Sequence, residues 1–79
     1  MRLVFHLPNS NELELEVSLD MTGLDLDKIL REKVGLFIRK PNILMYLFEG
    51  QVMPRNEPIE KWNLKDGDDV FVTSTLLAG

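Results

Sequence analysis

The chain has 79 residues, of which 44% are hydrophobic and 28% are charged, with a formal net charge of −4 and no cysteine. This length fits one domain with one core, and a chain without cysteine contains neither disulfides nor a thiolate-bound metal. The negative charge argues against general nucleic-acid binding, which needs an excess of Lys and Arg. No apolar run is long enough for a membrane span or a secretory signal. We therefore expect an intracellular protein, cytoplasmic or nuclear, that binds neither nucleic acid nor membrane.

A β-hairpin is predicted at the N-terminus. Residues 2–7 read RLVFHL, an apolar run with β-branched and aromatic residues that ends at the turn-forming PNSN. Residues 12–17 read ELELEV, and this strict alternation is typical of a strand with one buried face. Matching the two faces predicts that Leu3, Phe5, Leu13 and Leu15 point inward and that Val4 and His6 point outward.

One helix is predicted after the hairpin. Thr22 is a candidate N-cap, and Asp25 three residues later can complete a capping box. Asp27 and Arg31 have the i,i+4 spacing of a helix ion pair. Gly35 is expected to end the helix in the left-handed conformation. The buried stripe of this helix is predicted to consist of Leu26, Ile29, Leu30 and Val34.

Three further strands follow. Pro41 excludes a helix from the connector after Gly35. ILMYLF at 43–48 predicts a strand, QVM at 51–53 a short strand, and DVFVTS at 69–74 a last strand with Val70 and Val72 inward. One helical turn is expected before Trp62, a residue that we expect to pack at the edge of the core. The predicted order is therefore strand, strand, helix, strand, short strand, strand.

The order and spacing of several short motifs resemble ubiquitin over nearly the whole chain. They are LEV closing the second strand, a lysine and a glycine at the helix end, LFEGQ, and WNLKDGDDVFV. The resemblance implies an α+β, ubiquitin-like β-grasp fold, in which a ββαββ(β) mixed sheet of four to five strands packs on one α-helix. Residues 1–75 would form the ubiquitin-like domain and 76–79 a flexible C-terminal tail.

The C-terminal sequence TSTLLAG predicts a site of covalent attachment. Glycine suits a carboxylate that must be activated, because no side chain obstructs approach to the backbone. The resemblance implies that Gly79, preceded by Ala78, is joined to a target amine, although this tail lacks the arginines and the second glycine of ubiquitin. A frayed terminus is the alternative. Lys33 matches a ubiquitin lysine and is a candidate acceptor for further conjugation.

The outward sheet face is the second candidate site. The resemblance places Leu47 and Thr73 at the central isoleucine and valine of ubiquitin's recognition surface, and Phe71 at its histidine. Exposed apolar clusters on small charged domains usually mark interfaces. The predicted partner-binding residues are Val4, His6, Pro8, Met45, Leu47, Phe71 and Thr73.

The sequence predicts no enzyme, cofactor or metal site. It offers no paired base and nucleophile and no phosphate-binding glycine loop, and DGDD at 66–69 lacks the ligand spacing of a calcium loop. The first functional hypothesis is a monomeric protein modifier, joined through Gly79 by a dedicated activating and conjugating system. The second is an unconjugated interaction module, free-standing or part of a larger protein, that binds receptors of ubiquitin-like domains. The third is a sulfur carrier charged at Gly79.

Overall fold

The computed structural model describes residues 1–7, 10–34 and 43–75. Gly35 and the connector that contains Pro41 lie outside these ranges. No helix within them is long and apolar enough to cross a membrane. The elements in chain order are β1 (Arg2–His6), β2 (Glu12–Glu16), α1 (Gly23–Val34), β3 (Ile43–Phe48), β4 (Gln51–Val52), a 3-10 helix (Ile59–Trp62) and β5 (Asp69–Thr75).

The five strands form one mixed sheet in the order β2-β1-β5-β3-β4. β1 pairs antiparallel with β2, with Leu3 opposite Leu15 and Phe5 opposite Leu13, so the predicted hairpin and its inward residues are confirmed. β5 pairs parallel with β1 and antiparallel with β3. The last strand of the chain therefore lies at the centre of the sheet, with the N-terminal hairpin on one side.

The start of α1 confirms the predicted capping box. The Asp25 amide donates to the Thr22 hydroxyl at 3.3 Å, and the Thr22 amide donates to the Asp25 carboxylate at 3.0 Å. Gly23 follows at the first helical position, where an added Cβ would lie 2.9 Å from the Cα of Arg55. Glycine is needed there because the backbone that follows β4 passes directly against the helix start.

The core lies between α1 and the inner face of the sheet. Trp62 is 3% exposed and its indole N–H donates to the Pro54 carbonyl at 3.1 Å. The 3-10 helix turns its ring inward against Tyr46, and Trp62 also lines a cleft at the surface, so it packs where the core approaches that cleft. The buried apolar residues are Leu3, Phe5, Leu7, Val17, Leu26, Leu30, Leu44, Tyr46, Ile59, Trp62, Val70 and Val72.

A polar cluster of three side chains lies within this core. The Tyr46 hydroxyl on β3 donates to one carboxylate oxygen of Asp27 on α1. Arg55, in the segment after β4, donates to the other oxygen at 2.5 Å. Asp27 is 7% exposed, and the Arg55 Nε is buried without a hydrogen-bond partner. Asp27 therefore ties the helix both to the sheet and to the segment that Gly23 contacts.

Alkaline pH is expected to destabilise the fold through Tyr46. Burial, reinforced by the Asp27 carboxylate, raises the pKa of the Tyr46 phenol far above its ordinary value of 10.0. Above that pH an unfolded chain releases the phenolic proton while the folded chain retains it. The contribution of Tyr46 to the free energy of unfolding is therefore fully present below pH 10. Above pH 10 it falls by up to about 1.4 kcal/mol per pH unit.

The absorbance of the phenolate measures this effect directly, because Tyr46 is the only tyrosine. We expect the absorbance to rise together with the loss of far-UV circular dichroism as pH increases. Tyr46→Phe removes this one titration and should make the decline of stability above pH 10 less steep. A phenolate signal that appears near pH 10 while the dichroism stays native would show that Tyr46 is accessible.

Candidate interaction face

Strand register brings five residues into one row across the outer face of the sheet. Glu12 on β2 pairs with His6 on β1, and His6 pairs with Phe71 on β5. Phe71 pairs with Leu47 on β3, and Leu47 pairs with Val52 on β4. Directly paired residues point to the same face of a sheet. The row therefore runs from an acidic end on β2 to an apolar end on β4, and we call it the cross-sheet row.

The aromatic centre of the row is fixed in position by two contacts. The rings of His6 and Phe71 stack with their centroids 4.5 Å apart and their planes at 15°. The His6 Nε2 lies 2.8 Å from a carboxylate oxygen of Asp69, and its Nδ1 lies 3.5 Å from Glu12. His6 is thereby held between two acids while its ring supports one face of Phe71. Its place as an outward cross-strand residue agrees with the sequence analysis.

The apolar end of the row is open to solvent. Phe71 is 53% exposed and Val52 is 55% exposed, values that are high for large apolar side chains on paired strands. Leu47 between them is half-buried, and so is Met45, two residues earlier on β3. Met45 pairs with the exposed Thr73 on β5 and extends the apolar area along the strands. We call Met45, Leu47, Val52 and Phe71 the apolar patch.

The structure places the predicted partner-binding residues that it describes on this one face. Val4 pairs with Glu14 on β2 and with Asp69 on β5. Each of these three residues is two positions from a member of the cross-sheet row on its own strand, so Val4 belongs to the same face. Pro8 lies outside the described residues. The set that is brought together consists of Val4, His6, Met45, Leu47, Phe71 and Thr73. Their role in binding stays a prediction.

The opposite end of the face is acidic. Its carboxylates, which we call the acidic margin, are Glu12, Glu14, Glu16 and Asp69. Glu14 pairs with the Arg2 guanidinium at 2.9 Å, and Glu16 pairs with the amino group of Met1 at 2.8 Å. These carboxylate side chains are 55–72% exposed, so water and incoming groups reach all of them.

Sequence reasoning missed Val52 and did not connect the acids of β2 with this site. The sequence signal for Val52 was the Glu49-Gly50 pair between two strands. In the structure these two residues form a two-residue turn in which both φ angles are positive, 52° and 79°. Such a turn fixes the hairpin register. With Phe48 opposite Gln51, the register places Val52 opposite Leu47 and hence on the outer face. The proximity of β2 to the apolar patch depends on the strand order, which no local pattern contains.

The other predicted sites are described only in part. Gly79 and Ala78 lie outside the described residues. Lys33, the candidate acceptor, is exposed in the last turn of α1. Across 1–7, 10–34 and 43–75, no group of three or more His, Asp or Glu residues is arranged to hold a metal ion.

A shallow cleft lies between the β3–β4 turn and the 3-10 helix, with a volume of about 370 Å³. Phe48, Met53 and Trp62 contribute its apolar lining, and Glu49 and Lys61 add one charge of each sign. Since these charges oppose each other, the cleft favours neither an anionic nor a cationic ligand. The outer face of the sheet, with its separated charge and apolar patch, is therefore the better-defined site.

Comparison with solved structures places this architecture in a known class. The UBL domain of Plasmodium falciparum Dsk2 is 23% identical, and the match covers 95% of this chain and 97% of that chain with a TM-score of 0.81. A structure from work on molecular mimicry of SUMO in DNA repair is 26% identical, covering 92% and 89% with a TM-score of 0.78. No family model and no curated protein sequence matches. The chain has the ubiquitin-like β-grasp fold, as the sequence predicted.

Proposed function

We propose that the chain is a protein-interaction module that binds partner proteins through the outer face of its sheet. The observation that carries this proposal is the exposed Phe71, held by His6 and continued by Leu47 and Val52. The proposal treats residues 1–75 as the folded domain and 76–79 as its tail. It also includes an intracellular location, cytoplasmic or nuclear. The structural likeness to a UBL domain supports the fold on which this proposal is built.

The geometry of Phe71 suits it to contribute a large share of the binding energy. Aromatic residues near the centre of an interface are frequent hot spots. The His6 stack limits the orientations of the Phe71 ring before binding, so less side-chain entropy is lost when a partner covers it. Leu47 and Val52 extend the contact across two further strands. A partner that covers the patch therefore removes apolar surface from water at a low ordering cost.

Alanine substitution in the patch should weaken partner binding without unfolding the domain. We expect Phe71→Ala and Leu47→Ala each to reduce capture of partners from native cell extract by roughly tenfold or more. Thermal unfolding should change little, because Phe71 is half-exposed and Leu47 lies outside the buried core. The measurement is quantitative affinity capture with an N-terminally tagged chain, paired with a thermal melt of each variant.

Leu24→Ala is the matched control for these variants. Leu24 is 46% exposed and lies on α1, away from the outer sheet face. Its truncation removes the same atoms as Leu47→Ala from a different surface. Equal capture by all variants would contradict the proposal, and unfolding of Phe71→Ala would show that its side chain belongs to the core.

Conjugation through Gly79 is the second candidate function, and a denaturing version of the same capture tests it. The reason for retaining it is the residue type, since a glycine carboxylate is unobstructed for activation. A ladder of heavier covalent species that disappears when Gly79 is deleted would establish a modifier. Lys33→Arg would then show whether Lys33 accepts further copies. A single species of unmodified mass, whether Gly79 is present or deleted, would contradict conjugation. The interaction module would then be the remaining candidate function.

A further inference from the structure

We propose that the partner of this face is an amphipathic helix whose apolar stripe is bordered by Lys or Arg on the side that covers β1 and β2. This inference rests on the proposed function and adds the chemistry of the partner. It follows from the polarity of the cross-sheet row, which changes from carboxylate to apolar within a single face.

Charge on the outer face is one-sided. The acidic margin contributes four carboxylates, whereas the positive groups that contact it are the Arg2 guanidinium and the Met1 amino group, with His6 beside Glu12 and Asp69, so an excess of negative charge remains. The carboxylates stand on β2 and at the first residue of β5, whereas the apolar patch occupies β3, β4 and the middle of β5. A docked partner with acidic residues beside its apolar stripe would meet like charge along this border. A basic border instead adds favourable charge pairs at the rim, which mainly improve orientation and association rate.

The dimensions of the patch match one helix. Neighbouring strands are about 4.8 Å apart, so the distance from Phe71 to Val52, two strands away, is roughly 10 Å. An α-helix with its side chains is about 10–12 Å wide. A helix that lies over β5 and β3 therefore covers the patch with its apolar stripe. The acids of β2 then lie roughly 10 Å beyond Phe71, within reach of long Lys or Arg side chains on the flank.

A helix suits this face better than an added strand. Docking of a strand uses the free backbone groups of a sheet edge. The apolar patch is spread over three paired strands, two of which, β5 and β3, are internal to the sheet. Its binding groups are therefore side chains on a surface. Such a surface is contacted by the apolar side chains at positions i, i+3 and i+4 of an amphipathic helix.

A display library with restricted composition tests the inference. The probe is a set of helical peptides of about 18 residues, five turns, with a fixed leucine stripe and flank positions randomised among Lys, Glu and Gln. The library is selected on the unmodified chain, on Phe71→Ala, on Glu12→Gln/Glu14→Gln, and on Glu32→Gln. The last variant removes one carboxylate charge, against two in the double variant, from an exposed position of α1 and is the control for a general effect of charge.

We expect Lys to be enriched over Glu on one flank of the peptides retained by the unmodified chain, by roughly three- to tenfold. The enrichment should persist with Glu32→Gln, approach parity with Glu12→Gln/Glu14→Gln, and disappear at about 1 M salt, where charges are screened within a few ångströms. Each of these results supports the inference.

Three results would count against it, and they separate it from the proposed function. Peptides that depend on Phe71 but carry Glu or Gln flanks would reject the basic border while leaving the apolar patch as a binding site. Failure of the unmodified chain to retain any peptide would reject the helical partner. The proposed function would not be affected, because it is tested separately by the capture of partner proteins with Phe71→Ala and Leu47→Ala. Retention that does not respond to Phe71→Ala would count against the patch itself.

Discussion

Replacement of Asp27 by alanine is expected to lower the free energy of unfolding by about 3–5 kcal/mol. The substitution leaves the buried Tyr46 hydroxyl and the guanidinium of Arg55, whose side chain is 29% exposed, without the carboxylate that accepts from both. Arg55 has no compensation available at Nε, which is already buried without a partner. A domain of this length has a total stability of roughly 4–12 kcal/mol. Asp27→Ala should therefore remove a large share of the total stability, and nearly all of it where that total lies at the low end of this range.

Urea titration monitored by Trp62 fluorescence measures this loss. Glu32→Ala is the control, since Glu32 is an exposed acid on the same helix and its removal should change stability by less than about 0.5 kcal/mol. The double variant Asp27→Leu/Arg55→Met removes both charges and keeps apolar volume. It should be more stable than Asp27→Ala, because no charge is left buried and unpaired. If Asp27→Ala loses no more than Glu32→Ala, the cluster contributes nothing to the fold.

The features that the sequence predicted well depend on residues close together in the chain. The alternation of residues 12–17 identified β2, and the three-residue spacing of Thr22 and Asp25 identified the helix start with both of its reciprocal hydrogen bonds. Parity along each strand assigned the outward residues, because side chains alternate between the faces of a strand. These predictions needed no knowledge of which strands are neighbours.

The features that sequence reasoning missed join distant residues. The spacing of Asp27 and Arg31 predicted a pair within α1, but it gave no sign that the Asp27 carboxylate accepts from Tyr46 and from Arg55, the latter 28 residues away. The contact of His6 with Asp69 spans 63 residues and exists because β5 lies beside β1. Hydrophobic pattern alone does not give this parallel pairing, and the resemblance to ubiquitin supplied the layout that contains it. The acidic margin beside the apolar patch follows from the same strand order.

Leu30→Ala is expected to cost about 2–5 kcal/mol, because it leaves a cavity beneath the centre of α1. Leu30 is fully buried in the cluster that joins the helix to the sheet. The helix itself should not be weakened, since alanine has a helix propensity at least as favourable as that of leucine. Any loss of stability therefore reports the packing of α1 on the sheet, and urea titration gives it as a lower midpoint with an unchanged slope.

Leu24→Ala provides the comparison that isolates burial. The two leucines lie on the same helix and lose the same atoms, but Leu24 is 46% exposed and Leu30 is 0% exposed. Leu24→Ala should change the free energy of unfolding by less than about 0.5 kcal/mol. A similar small effect of Leu30→Ala would mean that α1 does not pack on the sheet as described. A large effect for Leu24→Ala alone would mean that the helix presents its other face to the core, which would also move Asp27 away from Tyr46 and Arg55.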